Sequence, residues 1–323
     1  MKRQFYADAQ AFLGFPGEPP RIEEGLQLDL ALVTCAPPMG LFANSIDATL
    51  EAIGKFHVAL TMQKKSVRIV EIEHDLDEDR PRFVFGLQNL PEDVNSRSRE
   101  SFVRLWNKGV RVISLAYDKA NLFGSGCLNI DIGLTPDGAR AIRWMNELGF
   151  ILDLSHTSHR TAREALELVD RENLNISVMA SHGGCYSVYP HFRNLPDDVL
   201  AAIAKRGGVV GIAQLTFILH QEDNSLDPFH KHLARAISLC GEEHVVIGSD
   251  APYVPYLPEQ EYKLFHRMKA MIDPNGTWGS RSPSYIPIWK GLRSHERLSL
   301  LKGISEGVLG GNLLNFFKRS LPQ

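Results

Sequence analysis

Two histidines and an aspartate stand at matching places in this 323-residue chain. The apolar run Phe150, Ile151, Leu152 and Leu154 has strand length and stops at Ser155-His156. Ile176 to Ala180 repeats the pattern and stops at Ser181-His182, and His244 to Gly248 repeats it once more and stops at Ser249-Asp250. The first run gives way to helical spacing over Arg160 to Asp170, so each reads as a strand delivering a polar group at its C-terminal end. Imidazole is the commonest nitrogen ligand for zinc, and His156 and His182 on successive strands could share one ion. Asp250 could be a third ligand or the base that takes a proton from an attacking water. For one histidine alone the plainer reading is a hydrogen-bonded residue at a strand end; three groups in matching positions favour a functional site. Tyr117, at the end of another apolar run, could instead pair with Asp250 as acid and base for metal-free elimination or isomerisation.

Arg193, in His191-Phe192-Arg193-Asn194, follows the His182 run. A guanidinium there could clamp a substrate carboxylate through two parallel hydrogen bonds, or it could tie down the turn, and spacing does not separate the two. His159, one helical turn on from His156, is expected to face solvent. His220, His230, His232, His244 and His266 have no strand-end context, which favours surface or structural roles. Gly207-Gly208 and Gly310-Gly311 read as tight turns without the spacing that cradles phosphate.

These groups need strands to present them together. Strand-like runs occur at Gln4 to Gln10, Leu28 to Thr34, Arg82 to Leu87, which delivers Gln88 and Asn89, and Val110 to Ala116, which delivers Tyr117 and Asp118. Phe150 to Leu154, Ile176 to Ala180, Gly208 to Gln214 and His244 to Ser249 bring the count to eight. Helical patterns fall between them: a short one around Ile22 to Gln27, then Ser45 to Met62, Ser101 to Lys108, a helix capped by Thr135-Pro136-Asp137 and ended by Gly149, Asp197 to Lys205, and Phe229 to Leu239. Charged residues from Glu71 to Arg82 mark a surface connection. The expected fold is a single (β/α)8 TIM-type barrel domain over residues 1–323, with the site at the C-terminal mouth. A doubly wound open sheet is the rival, and it explains less well why polar groups end so many strands. The segment Ala251 to Pro287, with Tyr253, Tyr256, Trp278 and Tyr285, reads as an aromatic lid after strand eight. Leu292 to Lys302 and Val308 to Phe317 read as closing helices.

Composition narrows the partner. A net charge of −3 gives no basic field for nucleic acid or an anionic membrane surface, and 44% hydrophobic residues suffice for a large core. A small-molecule substrate is the expectation. The start MKRQFYADAQ has no apolar stretch behind its basic residues, and no run of about 18 apolar residues occurs anywhere. Cys35, Cys127, Cys185 and Cys240 are scattered without CxxC spacing, which predicts neither disulfides nor a thiolate zinc site and points to a soluble, cytoplasmic protein.

DLSH at Asp153 to His156, Ser181-His182 followed by HFRN at His191 to Asn194, LPDDVL, GGVVGI, and HVVIGSD ending at Asp250 together resemble the membrane (renal) dipeptidase family of zinc-dependent, amidohydrolase-like barrels. The resemblance runs from about Arg82 to GGNLLNFF and more faintly to the N-terminus. It implies that His156 and His182 are zinc ligands, that Arg193, with Asn194 beside it, binds the substrate's carboxylate, and that Asp250 is the catalytic aspartate. The reaction it implies is metal-hydroxide attack on the peptide bond of a dipeptide, and it implies a homodimer. Several family positions differ here. The first-strand HxD metal pair corresponds to Gln10-Ala11-Phe12, after Asp8; a register on Gln27-Leu28-Asp29 would keep the aspartate but leave the first strand unexplained. The metal-bridging glutamate corresponds to Gln88, and a substrate-side histidine to Tyr117. A glutamine amide is neutral and bridges two cations poorly, whereas a carboxylate offsets their charge and offers each an oxygen. The expectation is therefore one zinc or none, on a dipeptidase-like hydrolase of a small dipeptide or amide. The alternative is a non-hydrolytic small-molecule-binding pseudoenzyme on the same barrel.

Overall fold

The computed structural model describes residues 3–14, 19–22, 26–36, 45–63, 66–95, 98–128, 131–223, 225–254, 301 and 303–323, with 259, 260, 262, 263 and 266 between them. The strands are β1 (Ala7–Phe12), β2 (Leu30–Thr34), β3 (Arg68–Val70), β4 (Arg82–Leu87), β5 (Val110–Ser114), β6 (Ile151–Asp153), β7 (Val178–Gly183), β8 (Val210–Ile212), β9 (Val245–Ile247) and β10 (Ala251–Pro252). The helices are α1 (Ile46–Thr61), α2 (Glu100–Asn107), α3 (Pro136–Leu148), α4 (His159–Arg171), α5 (Asp197–Lys205), α6 (Thr216–Leu219), α7 (Asp227–Cys240) and α8 (Asn312–Ser320). Every strand pairing is parallel, in the order β10-β1-β2-β4-β5-β6-β7-β8-β9. Because β9 runs on into β10, and β10 pairs with β1 through Ala11 and Ala251, the sheet closes into the expected (β/α)8 barrel.

Alternation explains the two cores. Within β4, Val84 faces the barrel interior with Ala7, Ala9, Leu30, Leu32, Val112, Ile151, Met179 and Val246, while Phe83 and Phe85 face the helical layer. The interior is filled at its N-terminal end by Leu313, Phe316 and Phe317 of α8. Helix ends are set by side chains: Ser45, Thr135 and Ser158 cap α1, α3 and α4 by accepting from the backbone N–H three residues on, and Gly149 ends α3 at φ 87°.

Several boundaries differ from the sequence expectation. The first strand is Ala7–Phe12 rather than Gln4 to Gln10, so Gln10 sits within it. The sixth barrel strand reaches Gly183, so His182 lies in the strand rather than after it. Ile22, Leu26 and Gln27 carry no helix. The stretch before Arg82 is more than a surface connection: β3 adds to the N-terminal half of β4, and the buried Asp75 accepts from the backbone of Glu71 and Ile72 and from Arg68. A run as short as Arg-Ile-Val is too brief for periodicity to reveal. Val308 to Phe317 is helical, as a π-turn over Gly307–Gly311 leading into α8. Beyond Val254 most of the expected lid, and the closing helix at Leu292 to Lys302 apart from Leu301, lie outside the described residues.

Candidate active site

The strand ends at the C-terminal mouth are held by two matching carboxylate clamps. Asp153, at the end of β6, accepts from Ser155 N (3.0 Å), Ser181 N (2.9 Å), Ser181 Oγ (2.6 Å) and Ser114 Oγ (3.2 Å). Asp8 in β1 does the same for the other side of the barrel, accepting from Gln10 N (3.0 Å), Ser249 N (2.9 Å), the Ser249 hydroxyl and Tyr253 Oη (2.7 Å). Each clamp fixes the serine that immediately precedes a candidate catalytic group, His182 in one case and Asp250 in the other. Ser155, before His156, accepts from His182 N at 3.0 Å. His156 and Asp250 both have left-handed backbones, with φ of 70° and 55°. Such strain on non-glycine residues costs on the order of 1–3 kcal/mol and persists where surrounding contacts determine it.

His156 and His182 meet as anticipated. Their Nε2 atoms are 2.9 Å apart. The Nδ1 of His156 lies 2.7 Å from Asp118 Oδ1, and the Nδ1 of His182 lies 2.8 Å from Ser181 Oγ, whose own proton goes to Asp153. Both Nδ1 atoms are therefore donors, and both Nε2 lone pairs converge on one point. Burial, reinforced by Arg193, pushes His156 down to about 4; burial, with His156 and Arg193, pushes His182 well below its usual value, so both rings are neutral, the form that binds a metal. Asp250 Oδ2 is 3.9 Å from His182 Nε2, and the Asp250 side chain bonds Gln88. Burial, aided by Asp8 and Asp118 and opposed by Arg193, raises its carboxyl to about 7.

Arg193 is buried among these groups. Its Nη2 is 3.0 Å from His156 Nε2, its Nε is 3.9 Å from Asp118 Oδ1, and its Nη1 has no partner among the described residues. Tyr117 stacks on His156, with centroids 3.9 Å apart and planes 25° apart. Burial, with Asp118 and Asp250 nearby, raises its hydroxyl well above 10, which keeps it a neutral phenol. Asn194 spends its amide nitrogen on Tyr189 O (2.9 Å) and Ile218 O (2.6 Å), which hold the loop that carries Arg193. His159 is not a solvent-facing residue: its Nε2 bonds Asn194 O at 2.8 Å and its ring meets Tyr186. His232 is fully buried between Cys185 N and Leu219 O, a structural role.

His156 and His182 are the residues here that could hold a metal ion. Two convergent imidazole lone pairs are an anchor for a single cation. No group of three or more His, Cys, Asp or Glu among the described residues could hold a metal by itself, so water or substrate would have to complete the shell. Gln10 and Gln88, at positions where the resemblance implied metal ligands, both donate to Thr34 Oγ1, at 2.6 and 2.9 Å. Both amides are neutral, and the carboxylate beside them is Asp250, whose side chain bonds Gln88. Phe12 pairs with Pro252 in the sheet and offers no oxygen or nitrogen from its side chain.

The clamps at Asp8 and Asp153 and the Asp118 contact are what strand-end reasoning missed. A serine before each of His156, His182 and Asp250 was the visible signal for the clamps. For Asp118 the signal was only its position beside Tyr117.

Residues 17–269 match the family described as Membrane dipeptidase (Peptidase family M19). An uncharacterized dipeptidase of Schizosaccharomyces pombe is 33% identical over 223 residues, 67% of this chain and 48% of that protein. A dipeptidase of Clonostachys rogersoniana is 30% identical over 214 residues, 64% of this chain and 53% of its own. The chain thus spans about half the length of these curated relatives. Among solved structures, an amidohydrolase from Pseudomonas aeruginosa shares the fold with a TM-score of 0.75 at 21% identity, covering 98% of this chain and 96% of that one. A metallopeptidase from Rhodobacter sphaeroides, bound to a phosphinate mimic of L-Ala-D-Ala, does so at 0.68 and 16% identity, covering 98% and 99%. By the family match, the chain belongs to the membrane dipeptidases, a family of metal-dependent hydrolases.

Proposed function

We propose that this protein is a dipeptidase-like hydrolase of a small dipeptide or amide that works with one zinc ion rather than two. The observation that carries the reading is the convergence of the His156 and His182 Nε2 lone pairs at 2.9 Å, each imidazole oriented by an acceptor on its other nitrogen. Zinc held there supplies Lewis acidity toward a carbonyl oxygen. The remaining roles belong to the chain. Asp250, with a carboxyl near 7, can take a proton from water and return it to the leaving amine at neutral pH. Arg193 Nη1 is a buried donor with no partner among the described residues and supplies a hydrogen bond to the substrate's carboxylate or carbonyl. Its Nη2 donates to the same His156 nitrogen that would ligate a metal, so the two would compete for one lone pair. Tyr117 covers the face of His156 and excludes water from it.

The test is metal content per chain by elemental analysis, on protein purified without chelator and then given zinc, alongside a broad panel of dipeptides and amides. One equivalent is expected, lost in both His156→Ala and His182→Ala, with turnover following the metal. Two equivalents would restore the two-ion arrangement. None, with no turnover, would leave the small-molecule-binding reading, which the neutral Gln10-Thr34-Gln88 network favours.

A further inference from the structure

We infer that Asp118 is a positioning residue that dictates which nitrogen of His156 faces the site. A neutral imidazole has one N–H and one lone pair, and their placement follows from what each nitrogen meets. On one edge, Nδ1 meets Asp118 Oδ1 at 2.7 Å, and a carboxylate is an acceptor only. On the other edge, Nε2 meets Arg193 Nη2 at 3.0 Å, and a guanidinium is a donor only. Asp118 and Arg193 both favour the same tautomer, with the proton on Nδ1 and the lone pair on Nε2; the third neighbour, His182 Nε2 at 2.9 Å, is set by its own contact to Ser181.

The carboxylate is itself firmly placed. Asp118 is 4% exposed, and its Oδ1 also accepts from Cys127 Sγ at 3.3 Å and lies 3.9 Å from Arg193 Nε. Its backbone carbonyl accepts from Leu128 N at 2.8 Å. The Tyr117–Asp118 stretch packs so closely on Gly126 that a Cβ there would lie 2.1 Å from the Tyr117 carbonyl oxygen. Consecutive residues therefore grip one ring, Tyr117 by its face and Asp118 by its edge.

The assignment deepens the reading of His156 as a ligand, and rests on that reading only in the second measurement below. In metal-free, 15N-histidine-labelled protein at neutral pH, long-range proton–nitrogen correlation should show His156 as the Nδ1–H tautomer, the signal being assigned by its loss in His156→Gln. In Asp118→Leu, which keeps the side-chain size and removes the acceptor, that preference should relax to a mixture. Zinc affinity by calorimetry should fall about ten- to hundredfold, the usual effect of removing a ligand's orienting partner, with the thermal transition kept. An Nε2–H tautomer in the unaltered protein overturns the assignment, as does an unchanged tautomer in Asp118→Leu. If that variant does not fold, the spectrum of the unaltered protein still decides. If the protein takes up no zinc, the hydrolase reading fails while the tautomer measurement still stands.

Discussion

Asp8 shows at the scale of one residue how the mouth trades stability for order. Burial raises its carboxyl from 3.8 to about 6, against the opposing pull of four hydrogen bonds from Ser249, Gln10 and Tyr253. The folded chain thus holds this proton more tightly than the unfolded chain. The corresponding stability is fully present below about pH 3.8 and is lost as the pH rises through about 6, a change of about 3 kcal/mol for a shift of about two units. Asn fits the same partners: its oxygen can keep the two backbone N–H groups, and its amide nitrogen can donate to the two hydroxyls. Asp8→Asn should therefore gain on the unaltered protein by about 3 kcal/mol between pH 4 and pH 7.5 in paired urea titrations. A stability difference that stays flat across that range would show that Asp8 does not titrate on folding. His156, His182 and Asp250, which the structure gathers at one mouth, stood out in the sequence because a polar group ending an apolar run is a local pattern, whereas spacing left the role of Arg193 open. Asp118 did not stand out, since its contact spans 38 positions of chain and depends on how two loops meet.

At the scale of elements, the strands at the mouth are packed so closely that glycine is required. Gly211 in β8 and Gly248 after β9 both lie against the Ser181 carbonyl, and a Cβ on either would stand 1.9 Å from that oxygen. The oxygen cannot retreat, because Ser181 is fastened from its other side through N and Oγ to Asp153. Gly211→Ala should therefore push β7 outward at Ser181-His182. A cost of about 1–3 kcal/mol is the usual range for overpacking. Because His182 moves with the strand, zinc affinity should fall as well, and the two losses should appear together in thermal melts and calorimetry. Full zinc affinity in a destabilised Gly211→Ala would mean that β7 yields elsewhere. Element order followed from sequence almost completely, because eight apolar runs alternating with helical spacing leave few architectures. Element ends did not. The register shift between Asp8 and Ala11, and the one between Ala180 and Gly183, insert irregularities beside the site that strict two-residue alternation cannot anticipate.

Across the whole molecule the barrel has two ends with different work. The mouth is polar, with Asp8, Gln10, Gln88, Asp153, His156, His182 and Arg193 all buried. The opposite end is apolar and stoppered by α8, whose Leu313, Phe316 and Phe317 sit on the lower layer of Ala7, Ala9, Leu30, Met179 and Val246. Asn312 anchors the plug by donating to Glu242 O (2.7 Å) and Val245 O (2.9 Å), and Lys318 pairs with Asp77 at 2.8 Å. No helix among the described residues is long and apolar enough to cross a membrane. Such a division predicts separable effects. Phe317→Ala removes a fully buried ring and should cost about 3–5 kcal/mol of stability, the range for emptying an aromatic from a core. At temperatures where the variant remains folded, its zinc affinity and the tautomer of His156 should match those of the unaltered protein. The ring belongs to the apolar cluster inside the barrel rather than to the polar groups that orient the two imidazoles. Loss of zinc affinity in folded Phe317→Ala would instead mean that strand spacing at the mouth is set from the bottom of the barrel, through the interior side chains that α8 supports.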